Sequence, residues 1–269
     1  MKNFYYATTI ALMVTALACK KSSGPSTIPG GQNSQFIRIQ QGVSADDDTV
    51  YLIKYDDKKR IASLIDSINT DTLLPTYNSS DLVTEIAERS PWANDHLTVT
   101  YNGSGQPTQI DFSLFGENDS YVFEYSGGMP SKNSYYSDAG QGGSPALWRT
   151  YIYTVTGSNI TGIKEYDKAG TLLGERNITF GTQSNPFKTL ALFNWSNRLG
   201  ADDLLPIETI FNANVATATT WYNATHDPFY TTTVAVTNNT AGSPVGITAT
   251  EKDPTGGTNN LFTWSFSYK

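Results

Sequence analysis

Short runs in which β-branched and aromatic residues alternate with other residues recur along this chain, and their period of two decides what it can fold into. In the segment Leu261 to Tyr268, the aromatics Phe262, Trp264, Phe266 and Tyr268 alternate with Leu261, Thr263, Ser265 and Ser267. Successive strand side chains point to opposite faces, so all four aromatics share one face. Runs of the same kind lie at 49–55, 96–101, 120–125, 151–155, 176–180 and 232–236. Turn clusters separate them, among them Asn102-Gly103-Ser104-Gly105-Gln106-Pro107, Ser126-Gly127-Gly128-Met129-Pro130 and Asp167-Lys168-Ala169-Gly170. Gly permits positive φ, Pro fixes φ, and Asn or Asp side chains close local turns. Strand, short turn, strand is the signature of antiparallel hairpins. The sequence therefore predicts an all-β fold over 36–269: a single large antiparallel β-meander, curved or barrel-like, built from degenerate hairpin repeats. All-β domains reach about 200–250 residues as one unit.

Helical signal is scarce. Asp81–Glu88 reads either as two helical turns with Asp81 as N-cap or as a strand. Asp202–Asn212 has room for a short helix near Leu204 and Leu205, limited by Pro206.

Composition narrows the function classes. Charged residues are only 16%, aromatics 12%, and the net charge is −7, which argues against a disordered chain and against a nucleic-acid partner. One cysteine and two histidines argue against a disulfide scaffold and a His- or Cys-rich metal site.

The cysteine has a better explanation. Lys2 is followed by an apolar or small stretch from Phe4 to Leu17. That is too short to span a membrane, which takes about 20 apolar residues, and fits a secretory signal. It ends in Ala16-Leu17-Ala18-Cys19, which resembles the lipobox of bacterial lipoproteins, with Ala16 where the usual residue is Leu. The flank Lys20-Lys21-Ser22-Ser23-Gly24-Pro25 resembles the start of mature lipoproteins from Bacteroidota. The resemblance implies a signal peptide at 1–18, acylation of Cys19, and anchoring in the outer membrane. Stable anchoring takes more than one acyl chain, which a di- or triacylated cysteine supplies. Residues 20–35, rich in Ser, Gly, Pro, Gln and Asn, read as a flexible linker. Surface-exposed lipoproteins of this phylum carry acidic residues just after the cysteine. The basic flank here favours the periplasmic face.

The hairpins form a weak repeat. Residues 54–64, with Tyr55-Asp56 and then Arg60-Ile61, align with 100–110, with Tyr101-Asn102 and then Gln106-Pro107. Residues 124–130 are a shortened copy, and 153–163, 179–190 and 236–247 are degenerate ones. With Ser184-Asn185-Pro186-Phe187-Lys188 and the aromatic closing strand, these units resemble Bacteroidota lipoproteins of unknown function described as porin-like in fold. They also resemble a relaxed form of YD-type repeats. The resemblance spans roughly 50–269 and implies a meander curling toward a barrel, with no known activity. Strands spanning a membrane run about 9–11 residues under an apolar outer band. The runs here are mostly shorter and rich in Thr and Ser, so the residues predict a soluble, curved meander.

Motifs of catalysis are missing: there is no Gly-x-Ser-x-Gly, no phosphate-binding Gly-x-x-x-x-Gly-Lys-Ser/Thr and no His-Glu-x-x-His. His96 opens a strand, and His226 beside Asp227 reads as a turn histidine rather than a triad member. Asp46-Asp47-Asp48 and Asp202-Asp203 lack calcium-loop spacing and read as solvated loop charge. No cofactor and no metal ligand is expected. Trp92, Trp148, Trp195 and Trp221 fall near strand ends beside turn residues. Flat indoles there either cover the ends of the core or stack on sugar rings or a protein partner. Thr49, Ser67 and Thr72 each follow Asp and precede an aliphatic residue, which resembles the O-glycosylation acceptor of envelope proteins of this phylum.

The sequence thus predicts a lipid-anchored, non-catalytic envelope protein that binds or scaffolds. Its partners are the membrane, through Cys19, and a glycan or an envelope protein. The rival readings are a glycan-binding accessory lipoprotein using loop tryptophans, and an unrecognised hydrolase.

Overall fold

The computed structural model describes residues 36–42, 49–67, 71–90, 95–114, 116–138, 144–185, 212–240 and 243–268. Among them are strands and turns and no helix. In chain order the strands are β1 (Phe36–Gly42), β2 (Thr49–Tyr55), β3 (Ile61–Asp66), β4 (Thr72–Tyr77), β5 (Val83–Arg89), β6 (His96–Tyr101), β7 (Pro107–Leu114) and β8 (Glu117–Ser126). They continue with β9 (Met129–Ser137), β10 (Ala146–Thr156), β11 (Asn159–Asp167), β12 (Leu172–Ser184), β13 (Asn214–Asn223), β14 (Pro228–Asn238), β15 (Pro244–Lys252) and β16 (Thr258–Tyr268). Each pairs antiparallel with its sequence neighbours, and β1 pairs with β16. The meander closes into a sixteen-stranded barrel.

Segment 83–89, readable as helix or strand from its residues, is strand β5. Asp81 stands at φ 61° in the turn before it, so it does not cap a helix. Most of 202–212 lies outside the described residues; Asn212 accepts the Ile160 amide N–H on its side-chain oxygen. Strands in the second half outrun the alternating sequence runs, and β12 reaches 13 residues. It continues through Gly174, where pattern reading ends a strand. A Cβ on Gly174 would lie 2.7 Å from the Tyr222 carbonyl oxygen, so glycine is what lets β12 and β13 approach there.

The registers link one face of every strand around the ring. Ile39 faces Tyr51; Ile53, Leu64 and Leu73 follow; Leu97 faces Phe112; Ile110, Tyr121 and Tyr135 follow. Further round, Tyr153, Ile163 and Arg176 share that face, and Ile247, Trp264, Phe266 and Ile39 complete it. These residues are buried, and in a single closed ring the buried face is the lumen side. Their apolar members form one continuous core. A round sixteen-stranded barrel is wide enough for a channel, but here the apolar part of the interior is packed. The outward positions include Lys54, Thr100, Glu124, Thr154, Lys164, Thr179, Thr233, Thr263 and Ser265, all exposed. A membrane-spanning barrel has the reverse polarity, apolar outside and polar within.

Both β1 and β16 have their outer termini at one end of the barrel, where Phe36 pairs with Tyr268. We call this the basal end and the other the distal end. At the basal end, tyrosines close the gaps between hairpins. The hydroxyls of Tyr77, Tyr101, Tyr125 and Tyr268 donate to the carbonyls of Ile61, Val83, Pro107 and Pro244. Each bonds a residue at or next to the end of one strand to the first residue of the preceding strand. Burial pushes the Tyr77 and Tyr268 hydroxyls up to about 12, so they remain protonated donors.

One turn recurs at both ends. Asn78, Asn102, Asp167, Asn223 and Asp253 each accept, on the side-chain oxygen, the amides two and four residues on. Asp56 and Asn239 take the amide four residues on. The fourth residue has positive φ: Lys59, Asp81, Gly105, Gly170, His226 and Gly256. At two of the non-glycine positions, Asp81 and His226, the side chain is engaged. Asp81 pairs with Lys58 and Arg60 of the neighbouring hairpin, and Arg60 also lies 4.2 Å over the Tyr77 ring.

Two predictions follow from these bonds. Tyr101→Phe removes one phenol-to-carbonyl bond and should lower unfolding free energy by about 1 kcal/mol, read from urea denaturation with an unchanged slope. The Asp56 carboxyl is held below its usual range first by the Arg60 amide, Asp167 by the Thr171 amide, and Asp253 by the Thr255 hydroxyl and Gly257 amide. Their contribution is complete above the unfolded carboxylate value of about 3.9 and is lost as pH falls through the lower folded values. The triple substitution Asp56→Asn, Asp167→Asn, Asp253→Asn places in these turns the residue already used at 78, 102 and 223. It should flatten the acid limb of stability against pH below about pH 4.

Candidate functional site: the distal half of the lumen

The lumen changes character along its length. Its basal and middle levels are aliphatic and aromatic, whereas its distal level carries charge. On the β8–β14 wall the lumenal residues there include Asp119, Tyr135, Arg149, Tyr151, Glu165, Arg176, Trp221 and Tyr230. Across the ring, Glu88 and Glu251 are buried on the same face, with Asp95 buried just before β6.

Cross-strand pairing sets the geometry. Tyr121 and Tyr135 are directly opposed and stack at 4.7 Å, and Phe112 extends the stack at 5.6 Å from Tyr121. Arg176, Trp221 and Tyr230 are opposed in the same way on β12, β13 and β14. The Arg176 guanidinium lies 4.4 Å over the Trp221 ring, and Trp221 stacks on Tyr230 at 5.1 Å. Between these two ladders Arg149 Nε is 3.1 Å from Glu165 Oε1. The Tyr135 hydroxyl donates to Asp119 at 2.9 Å.

Exposure differs from residue to residue along this wall. The Glu165 and Arg149 side chains are 26% and 13% exposed, and Trp221 and Tyr230 are half-buried. Tyr151 is 2% exposed and Asn133 is completely buried. Asn133 and Tyr151 face each other across β9 and β10. Neither polar atom of the Asn133 amide has a hydrogen-bond partner, and neither does the Tyr151 hydroxyl. Desolvation pushes the Tyr121 and Tyr151 hydroxyls far up. Desolvation also raises the Asp119 carboxyl, and the Asp138 charge adds to it, against the bonds from Ser137 and Tyr135.

The residues singled out from sequence are dispersed. Cys19, Trp92, Trp195, Asp46-Asp47-Asp48 and Asp202-Asp203 lie outside the described residues. Trp148 is the extra residue of a bulge between β9 and β10, 41% exposed, with Arg149 5.4 Å from its ring. Trp221 belongs to the lumenal wall, so the two do not share a face. Thr49 begins β2, Ser67 is an exposed turn residue and Thr72 begins β4; all three are at the distal end. His96 is exposed at the start of β6. His226 does not pair with Asp227. Its Nδ1 is 2.7 Å from Glu175 and its ring stacks on Tyr222 at 4.5 Å, while Asp227 accepts from the Thr225 hydroxyl and the Asn223 amide. Among the described residues no group of three His, Cys, Asp or Glu is placed to share a metal ion.

Sequence reasoning missed Asn133, Arg149, Tyr151, Glu165 and Arg176. A signal was present for some. Arg176 is in phase with Ile178 and Phe180, Arg149 with Tyr151 and Tyr153, and Asn133 with Tyr135. A polar or charged residue in phase with a buried face marks a polar place in the lumen.

Two solved structures share this architecture. One is a porin-like protein from Bacteroides uniformis ATCC 8492, with TM-score 0.56 and 15% identity, covering 87% of this chain and 96% of that one. The other is a porin-like protein from Bacteroides vulgatus ATCC 8482, with TM-score 0.55 and 9% identity, covering 88% and 99%. At these identities the likeness is one of fold: this chain has the closed antiparallel barrel of those porin-like proteins. No protein-family model matches the sequence, and no curated protein does.

The two tryptophans should separate on mutation. Trp221→Ala removes the cation–π contact and the stack and should cost about 2–3 kcal/mol of stability. Trp148→Ala, on the exposed bulge, should stay within about 0.5 kcal/mol. Chemical denaturation of both variants checks this.

Proposed function

We propose that the protein is a lipid-anchored, non-catalytic component of the bacterial outer envelope that works by binding or scaffolding. The observation that carries this reading is the opposition between its two ends. The segment after Cys19 enters the barrel at Phe36, on the basal end, while the polar and aromatic half of the lumen lies at the distal end. A tether through Cys19 would present the polar lumen away from the lipid. If residues 20–35 act as a Gly/Ser-type linker, as their composition suggests, their root-mean-square span would be about 20–25 Å, enough to hold the barrel clear of the headgroups. The polar outer wall supports a barrel attached to a membrane rather than inserted in it, and the shared fold with the Bacteroides porin-like proteins supports an envelope setting. The basic residues Lys20 and Lys21 favour the periplasmic face. Modification at Thr49, Ser67 and Thr72 would decorate the rim away from the lipid. His226, engaged with Glu175 and Tyr222, supports a structural role for that residue rather than hydrolysis.

The test is expression in a bacterial host with lipoprotein processing. The wild-type chain should take up labelled acyl chains, sediment with membranes and enter the detergent phase, and Cys19→Ala should abolish all three. A wild-type chain recovered unlabelled in the soluble fraction would overturn the reading.

A further inference from the structure

We infer that the outer rim of the distal end, from β10 to β14, is a docking surface for a basic amphipathic helix of a protein partner. The inference rests on the binding role proposed above and names its surface and the chemistry of its partner.

A bulge recurs near the strand ends, and its extra residue differs between the two ends of the barrel. At the basal end the extra residues include Thr84, Thr108, Ser131 and Thr161. Each donates its hydroxyl to a carbonyl of the preceding strand, at Thr76, Thr100, Glu124 and Thr154 respectively. The other basal hairpins place Ala62 and Val245 there. At the distal end the extra residues of β10, β12 and β14 are Trp148, Leu173 and Phe229, and the row ends at Asn259 on β16. None of the first three carries a hydroxyl. Trp148 and Phe229 are two of the four large hydrophobics exposed among the described residues, and Leu173 is half-buried. The backbone device is the same at both ends, so the bulge itself does not require a large apolar residue. Bulges at barrel rims re-aim side chains, and these three hold apolar surface at the end that faces away from the tether.

Their spacing suits a helix. Alternate strands lie about 9.5 Å apart, so the three residues form a row with that step. Residues seven apart in an α-helix share a face and lie about 10.5 Å apart. A helix laid along the rim meets the row at positions i, i+7 and i+14. Its i+3/i+4 and i+11 residues then fall on the intervening strands, where half-buried Tyr166 and Tyr222 hold outward positions. The wall is convex. The larger side chains, Trp148 and Phe229, stand at the ends of the row and Leu173 in its middle, as contact with a straight rod requires.

Charge selects the other face of the helix. In the described strands and turns, Asp and Glu outnumber Lys and Arg more than twofold in the distal half, and the two are nearly equal in the basal half. Asp167 and Asp227 sit in the turns that lead into Leu173 and Phe229. The Thr171 amide holds the Asp167 carboxyl below its usual range, and the Thr225 hydroxyl does so for Asp227, so both stay ionised at neutral pH. An acidic end repels acidic partners and steers basic ones toward itself.

The experiment uses the mature acylated chain in phosphatidylcholine nanodiscs, with empty nanodiscs as the reference. The probe is a fluorescently labelled helical peptide of about four turns, with leucine on one face and lysine on the other, read by anisotropy. The wild-type chain should bind it at micromolar affinity, and high salt should weaken binding. Trp148→Thr and Phe229→Thr should each weaken it by about tenfold. The triple variant Trp148→Thr, Leu173→Thr, Phe229→Thr should abolish it. That variant gives the distal bulges a residue already used at the basal ones, and Val245→Thr, at a basal bulge, should leave binding unchanged. Phe229 also packs edge-on against Tyr230 at 4.7 Å, so Trp148→Thr alone keeps the test decisive if the triple variant fails to fold. The proposal falls if the wild-type chain does not bind the lysine peptide, if a peptide with glutamate in place of lysine binds as well, or if Trp148→Thr binds undiminished. It is overturned also if the triple substitution abolishes self-association of the chain, or adhesion of Cys19→Ala to phosphatidylcholine vesicles, because the rim then serves a second copy or a lipid surface. An acylated chain that binds no peptide would refute this rim and leave the anchor intact, whereas an unacylated chain that binds it would refute the anchor and leave the rim.

Discussion

The seam between β1 and β16 is the contact on which the barrel depends. Phe36 meets Tyr268, Ile39 meets Phe266 and Gln41 meets Trp264. Without that ladder the meander would have two free edges, each a row of unsatisfied amides and carbonyls. It would also have an apolar face open to water, since Ile39, Tyr51, Trp264 and Phe266 are buried only because the two ends of the sheet are adjacent. Closure therefore satisfies the backbone and the hydrophobic face in one step. It also makes the first and last strands depend on each other across the whole length of the sequence. Contacts of such long separation slow folding, because chain entropy is lost before they form.

The rest of the ring is assembled locally. The repeated turn satisfies its own amides with one Asn or Asp side chain, so each hairpin is largely specified by five consecutive residues. The basal tyrosines then connect hairpin to hairpin, at Tyr77, Tyr101 and Tyr125. Side chains on the turns add a second connection: Arg60 reaches Asp81, and the Gln106 amide donates to the Gly128 carbonyl. Exposed ion pairs such as Lys58–Asp81 contribute little individually. Their value is positional, because they hold neighbouring turns in register at the rim.

The strand identity of the chain and its antiparallel order were legible from alternation and turn chemistry, because both act over a few residues. Tyr101-Asn102 and Tyr55-Asp56 showed where strands end. Closure was not legible in the same way. It depends on summed twist and stagger over sixteen strands, which no local pattern encodes, and the sequence left curved and closed forms equally open. Strand length was misjudged where Gly174 and Gly181 interrupt the alternation, since the reason for these glycines lies on the opposing strand. The distal lumen was missed for a related reason. Arg149 and Glu165 are in phase with the buried Tyr151 and Ile163, but that these faces of separate strands turn to one lumen emerges only from the registers. The tryptophans are conspicuous near strand ends, yet Trp148 and Trp221 belong to different surfaces.

The entry of the chain at the basal end has a mechanical consequence. β1 runs directly inward from that point and is hydrogen-bonded along its length to β2 on one side and β16 on the other. Inter-strand bonds lie across the strand direction. A pull on the segment before Phe36 is therefore directed along β1 and loads both ladders in shear, with many bonds sharing the force. Pulling the same strand sideways would open those bonds one after another. The first strand is thus seated as a double-sided anchor, in the orientation best able to resist tension from a tether.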